Sequence, residues 1–153
     1  MAKYTATDVK NLRELTGAGM MDCKKALDAA EGDMKKAEAL VKEKGLANAD
    51  KKADRETKEG YVASYVHTTG KTAALVEILC ETDFVGRNEE FRAMVKEIAM
   101  QVVAMSPATT EELLAQPFIK DSSVTIETLI KQLSGKIGEK FVLSRFVRYE
   151  VGE

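Results

Sequence analysis

The chain has 153 residues, 44% hydrophobic and 31% charged, which provides enough apolar material for a core and argues against disorder. A formal net charge of −2, with no basic stripe in either half, lacks the electrostatic footprint of a nucleic-acid binder. No apolar run approaches the roughly 20 residues that cross a bilayer, so no membrane role is expected. Residues 1–10, MAKYTATDVK, contain no hydrophobic stretch of signal-peptide kind. Cys23 and Cys80 form neither a CxxC pair nor a Cys/His cluster, so the expectation is a reduced, cytoplasmic setting without metal or cofactor.

In chain order, residues 5–45 read as three short helices. Thr5 and Thr7 are N-cap candidates for a helix that carries Val9, Leu12 and Leu15 at helical spacing. Thr16-Gly17-Ala18-Gly19 breaks it. A second helix begins near Met20 with Met20, Cys23 and Leu27 on one side, and Glu31-Gly32-Asp33 breaks again. Asp33 caps a third helix that buries Ala37, Leu40 and Val41 and stops at Gly45, read as a C′ glycine. Residues 46–59 carry no apolar stripe and read as an exposed linker.

The period then changes. Tyr61 to Thr69 alternates, Thr69-Gly70 marks a turn, and Thr72 to Thr82 reads as a second strand of a hairpin. Asn88 caps a helix whose stripe is Phe91, Met94, Val95, Ile98, Val102 and Met105, ended by Ser106-Pro107. Another helix carries Ile126, Leu129, Ile130, Leu133 and Ile137. A last strand, Phe141 to Val151, places Phe141, Leu143, Val147 and Tyr149 on one face. The fold class is therefore α+β: a three-helix module (1–45), a linker (46–59) and a ββααβ core (60–153). The core has a three-stranded, mainly antiparallel sheet covered by helices on one face.

Chemical motifs are sparse. Gly70-Lys71-Thr72 invites a P-loop reading, but Tyr65 stands where the first glycine belongs, and a strand follows where phosphate needs a helix N-terminus. His67 has no nucleophile partner, and no paired carboxylates stand at a vouching spacing, so no enzyme activity is expected. Met20-Met21 is more informative: a thin bundle cannot bury both, and methionine adapts to partner surfaces. Phe84, read from residues alone, continues the strand face of Val76, Ile78 and Cys80 as core. The sheet strands are apolar on both faces, with Leu75 and Leu79 opposite Val76 and Ile78, and Phe146 opposite Val147 and Tyr149. One helical layer covers one face, so the other asks for a second copy of the chain, a homodimer through the sheet.

Leu12-Arg13-Glu14-Leu15-Thr16-Gly17-Ala18-Gly19-Met20-Met21-Asp22-Cys23-Lys24-Lys25-Ala26-Leu27 resembles the N-terminal signature of the elongation factor Ts family. Cys80-Glu81-Thr82-Asp83-Phe84-Val85 resembles its second signature, and Lys136-Ile137-Gly138-Glu139 with Arg145 to Gly152 its C-terminal end. The resemblance spans nearly the whole chain. It implies a ubiquitin-associated-like helical module, a core that contacts the GTPase elongation factor Tu, and guanine-nucleotide exchange during protein biosynthesis. The implied contacts fall on Thr82, Asp83, Phe84 and Val85, on Arg13, Met20, Met21 and Lys24, and on Ile137 and Gly138. It reverses the core reading of Phe84, which becomes an exposed wedge. Longer members carry two cores or a helical-hairpin insertion; here only Ala108 to Asp121 lies where that insertion falls. The alternative class is a helical adaptor for peptides or ubiquitin-like partners, with the core serving dimerisation.

Overall fold

Caps and left-handed glycines delimit the first helices. In the computed structural model, which describes residues 3–50 and 52–153, Thr5 and Asp8 form a reciprocal capping box that opens α1 (Ala6–Thr16). Gly17 closes it at φ 68, a left-handed conformation that disfavours a side chain. Helix α2 (Met20–Ala29) follows, and the Asp33 carboxylate accepts the Lys36 N–H at the start of α3 (Met34–Asp50).

The module's core is thin. Leu12, Cys23 and Leu27 are fully buried, and the rest of the buried set is Ala26, Ala30 and Ala37. Three residues read inward by spacing, and one helix end, are corrected. Leu15 and Met20 are mostly exposed, Leu40 sits at the rim, and α3 runs through Gly45 to Asp50 instead of stopping there. Tertiary packing overrides the glycine signal, because Gly45 lies directly against Gly135 of a later helix.

The core sheet has order β1-β2-β5, all antiparallel, from β1 (Glu59–Val66), β2 (Thr72–Cys80) and β5 (Val142–Glu150). Between β2 and β5 lie α4 (Asp83–Gly86), α5 (Glu89–Met105), α6 (Thr110–Ala115), a small hairpin β3–β4 (Pro117–Phe118 and Asp121–Thr125) and α7 (Ile126–Ile137). The α+β class and the three-stranded antiparallel sheet stand as expected, while the stretch between β2 and β5 holds α4, α6 and the β3–β4 hairpin beside α5 and α7, more than a ββααβ order provides. Residues 108–121, at the place of the helical-hairpin insertion that this chain was expected to lack, supply α6 and part of the β3–β4 hairpin. Buried Gln101 anchors the hairpin, donating to Gln116 and the Pro117 carbonyl and accepting the Ile119 N–H.

The Asn88 cap and the α5 stripe appear as read, with Phe91, Val95, Ile98 and Val102 fully buried against Val76, Ile78 and Cys80 of β2. Met105 is the exception and is exposed. The last strand departs from simple alternation. Glu77 pairs with Arg145 but Ile78 pairs with Leu143, so Ser144 is an extra residue and the phase of β5 flips there. Phe141 and Leu143 face the core before the bulge and Phe146 faces it afterwards, while Val147 and Tyr149 move to the outer face. That outer face also carries Val62, Val66 and Leu75, all exposed. Among the described residues no helix is long and apolar enough to cross a membrane.

Candidate functional site

Strand β2 ends at Cys80, and the chain turns at once into α4, a single helical turn. Thr82 is its N-cap, in extended conformation, with its hydroxyl accepting the Val85 N–H. The turn buries Val85 and Gly86, so Val85 is its one inward side chain. Phe84, next to it, points to solvent and is 80% exposed, so the reading of Phe84 as a continuation of the core face is corrected. The reason is local: the helical turn after Thr82 ends the two-residue alternation that would have carried Phe84 inward. Asp83 is half-buried and ion-paired at 3.0 Å with Arg87, four residues on.

A short turn of this kind has little stability of its own, since one helical turn fixes several dihedrals for a single hydrogen bond. Contacts from distant segments hold it. One oxygen of Glu139 accepts the backbone N–H groups of Glu81 and Thr82, both at 3.0 Å, and the other accepts the Thr82 hydroxyl at 2.6 Å. Reciprocally, the Glu81 carboxylate accepts the Lys140 N–H at 2.8 Å. At the far end of the turn, Arg92 donates from Nε to the Gly86 carbonyl at 2.8 Å while its guanidinium lies over the Tyr61 ring, 4.6 Å from the centroid. Gly86 itself lies against the Gly60 backbone.

Ile137 and Gly138 are brought beside this turn by the same hydrogen bonds, because they immediately precede Glu139. Gly138 is the left-handed C-cap of α7, φ 92, with its N–H donating to Ser134. Its carbonyl accepts from Arg55, which also pairs with Glu81 at 3.3 Å. Beneath them Lys52 is buried and donates to the Ser134 carbonyl at 3.0 Å. Burial first, then the neighbouring Arg55 charge, hold the Lys52 ammonium below the usual lysine range, with Glu81 opposing. The Cys80 thiol, wholly buried, is pushed up to about 11, chiefly by desolvation and then by the Glu139 charge.

The N-terminal candidates sit on a second surface. Arg13 and Lys24 are exposed, and Met20 and Met21 stand 58% and 62% exposed at the start of α2. Leu15, 67% exposed at the end of α1, joins them and was not singled out as a contact residue. Its spacing from Leu12 is as good for core as for surface, so periodicity gives no signal that separates the two. Lys136 links this surface to the first one. Its aliphatic chain lies over Gly17 and its Nζ pairs with Glu90 at 2.7 Å. A cleft of about 580 Å³ opens between the α1–α2 turn, α3, α5 and α7.

The supporting roles of Glu139, quoted above only as part of the C-terminal motif, and of Arg92 and Tyr61 were missed in the sequence; the 57-residue separation of Thr82 from Glu139 leaves no local pattern to find. Among the described residues no group of three or more His, Cys, Asp or Glu is placed to hold a metal ion.

Comparison with known proteins gives a consistent result. A family model described as Elongation factor TS matches residues 81–153. The chain is 45% identical to the elongation factor Ts of Desulforamulus reducens, over all of this chain and 91% of that relative. It is 44% identical to that of Finegoldia magna, covering 100% and 92%, and 43% identical to that of Moorella thermoacetica, covering 97% and 95%. The first alignment runs over 198 positions against 153 residues here, so that relative carries inserted residues this chain lacks.

Proposed function

The chain belongs to the elongation factor Ts family of translation elongation factors, and on that premise we propose that it is the guanine-nucleotide exchange factor of elongation factor Tu. It promotes GDP release by seating the Thr82-Asp83-Phe84-Val85 turn beside the nucleotide and magnesium site of that GTPase. The observation that carries this reading is Phe84: a large apolar side chain, 80% exposed, on a turn pinned at both ends.

Exchange is a coupling problem. A factor with equal affinity for loaded and empty GTPase shifts nothing, so it must prefer the empty state, and by linkage it then weakens nucleotide by the same factor. Burying one phenylalanine in a gap open only in the empty state is worth roughly 1.5–3 kcal/mol, about a 10- to 150-fold bias. Asp83 adds repulsion of phosphate. Ile137 and Gly138 extend the same contact, and Arg13, Met20, Met21 and Lys24 form a second one from the ubiquitin-associated-like module at 1–45. The chain transforms no substrate in this role and works in the cytoplasm. The deciding experiment adds the protein to elongation factor Tu loaded with labelled GDP. Accelerated release is expected; an unchanged rate overturns the reading and favours the helical adaptor.

The partner set also includes a second copy of the chain. Val62, Val66, Leu75, Val147 and Tyr149 form one exposed apolar face across all three strands, with no element packed over it among the described residues. An identical face on another copy, related by a two-fold axis, covers it. Sedimentation equilibrium across micromolar concentrations tests this; a mass staying near 16.8 kDa refutes the dimer.

A further inference from the structure

We propose that Glu139 is a positioning residue for exchange: its carboxylate clamps the N-terminal end of the α4 turn and so holds Phe84 ready for insertion. This rests on the exchange role proposed above.

Three donors converge on this one carboxylate: the backbone N–H groups of Glu81 and Thr82 and the Thr82 hydroxyl. The three bonds span the junction at which β2 stops and α4 starts, where the chain must change direction. Phe84 lies two residues beyond the clamp and is 80% exposed, so its own side chain does little to hold the turn. The turn is also held by Val85, packed beneath it, and at its far end by Arg92 on the Gly86 carbonyl and by Gly86 against the Gly60 backbone. Removing the clamp leaves one end of a four-residue helix free to fray.

A carboxylate suits the role better than a neutral acceptor. Charge-assisted bonds to backbone N–H are shorter and stronger, and two oxygens serve three donors at once. Like charge from Glu81 would oppose a carboxylate here, but Arg55 pairs with Glu81 and the Glu81 oxygen is turned to the Lys140 N–H. The clamp also joins two candidate contact segments. Glu139 directly follows Gly138, so displacement of the α7 C-terminus on docking is transmitted to the backbone that carries Phe84. A turn ordered before binding avoids the entropy of ordering it in the transition state.

The test compares Glu139→Ala and Glu139→Gln, each with and without Phe84→Ala. Three readouts are taken on the full chain: amide hydrogen exchange of the free protein, its thermal midpoint, and release of labelled GDP from elongation factor Tu against factor concentration. For Glu139→Ala, protection at the Glu81 and Thr82 amides should fall about tenfold or more while β2 amides keep theirs. Maximal stimulated release should fall about tenfold with half-saturation within about threefold, and Phe84→Ala should then add less than about twofold. Glu139→Gln, which keeps an oxygen acceptor for the two N–H groups, should restore most of the loss. Unchanged protection at Glu81 and Thr82 overturns the clamp. A general loss of protection through β2, or a full additive effect of Phe84→Ala, overturns it equally by making Glu139 merely structural. If Phe84→Ala alone leaves release unchanged, the wedge mechanism fails, and the amide readout still decides whether the clamp exists.

Discussion

The N-terminal module and the core divide their apolar residues differently. In the core, α5 and β2 face each other, and Phe91, Val95, Ile98, Val76 and Ile78 are wholly enclosed. In the module, three helices in fewer than fifty residues enclose, among the described residues, only Leu12, Cys23 and Leu27 of the larger side chains, with alanines filling the remainder. A small bundle has too little interior for more. Leu15, Met20 and Met21 are left outside, gathered around the α1–α2 turn. The core leaves its own apolar residues outside chiefly at Phe84 and on the outer face of the sheet, with Met105 and Ile119 exposed singly elsewhere. The contrast separates where apolar side chains are enclosed from where they are left exposed, and pairs of substitutions can test it.

The largest expected effect separates two phenylalanines seven positions apart. Phe91 is fully buried, with its ring centroid 4.9 Å from that of Phe141. Phe91→Ala should cost about 3–5 kcal/mol of stability, read as a large fall in the thermal midpoint. Phe84→Ala should leave the midpoint nearly unchanged and slow stimulated GDP release by about tenfold or more, since only buried area lost on binding is removed. A large fall in midpoint for Phe84→Ala would return it to the core.

The same contrast recurs within the module. Leu27→Ala, at a fully buried site, should destabilise by about 2–5 kcal/mol, enough to melt a thin bundle before the core. Met20→Asp should change stability by no more than about 0.5 kcal/mol, as exposed sites do. It should nevertheless weaken binding to elongation factor Tu. Hydrogen exchange resolved by region, together with a titration, reads both. Equal stability losses would mean that Met20 is part of the module's core.

What could be read from residues was the local chemistry. The Thr5, Asp33 and Asn88 caps, the α5 stripe and the hairpin turn at Thr69-Gly70 each follow from a few neighbouring residues, and each stands in the structure. What could not be read depends on distant partners. Gly45 looks like a helix stop until Gly135 is placed against it. The phase of β5 depends on the Ser144 bulge, which pairing with β2 defines and alternation cannot reveal. Phe84 shows the limit most directly: alternation carried it inward, and only resemblance to a family signature implied an exposed residue. At the candidate site, the motif residues were visible, Glu139 among them, while its bonds to the turn and the support from Arg92 and Tyr61 were not.

Opposite pH extremes should loosen the two regions. Asp8, exposed in the α1 capping box, is held below the usual carboxylate range by the Thr5 N–H, then by the Thr5 hydroxyl. A depressed native value means that its contribution is present above the unfolded value, near 3.8, and is lost as pH falls through the lower native one. Cys80 is the reverse case. Its thiol is pushed up from 9.0 to about 11, so its contribution is intact below 9 and lost as pH rises through about 11. Asp8→Asn should flatten the acid limb measured on module amides, and Cys80→Ala the alkaline limb measured on core amides. If either variant altered the other region's limb, the two regions would unfold as one unit.

The smallest expected effects test the joint between the regions, where α3 of the module crosses α7 of the core. Two glycines meet there, and they are not equivalent. A Cβ added at Gly45 would find only the Gly135 Cα, at 3.9 Å, an ordinary contact. A Cβ added at Gly135 would strike the Gly45 carbonyl oxygen well inside contact distance, with the Gly45 backbone carbon at 2.6 Å behind it. Both sites are helical, so each alanine gains about 0.5–1 kcal/mol of helix propensity over glycine. At Gly45 nothing opposes that gain, and Gly45→Ala should raise stability by about 0.5–1 kcal/mol. At Gly135 the helices must separate, since backbone atoms cannot rotate away as a side chain would. Overpacking of this kind costs about 1–3 kcal/mol, so Gly135→Ala should be destabilising on balance. It should also loosen the Lys136 contact over Gly17, one residue further along α7, and with it the placement of the α1–α2 turn. Chemical denaturation of both variants gives the signs directly. Two stabilising substitutions would mean that α3 and α7 do not meet this closely in solution and that the module is joined to the core more loosely than this crossing implies.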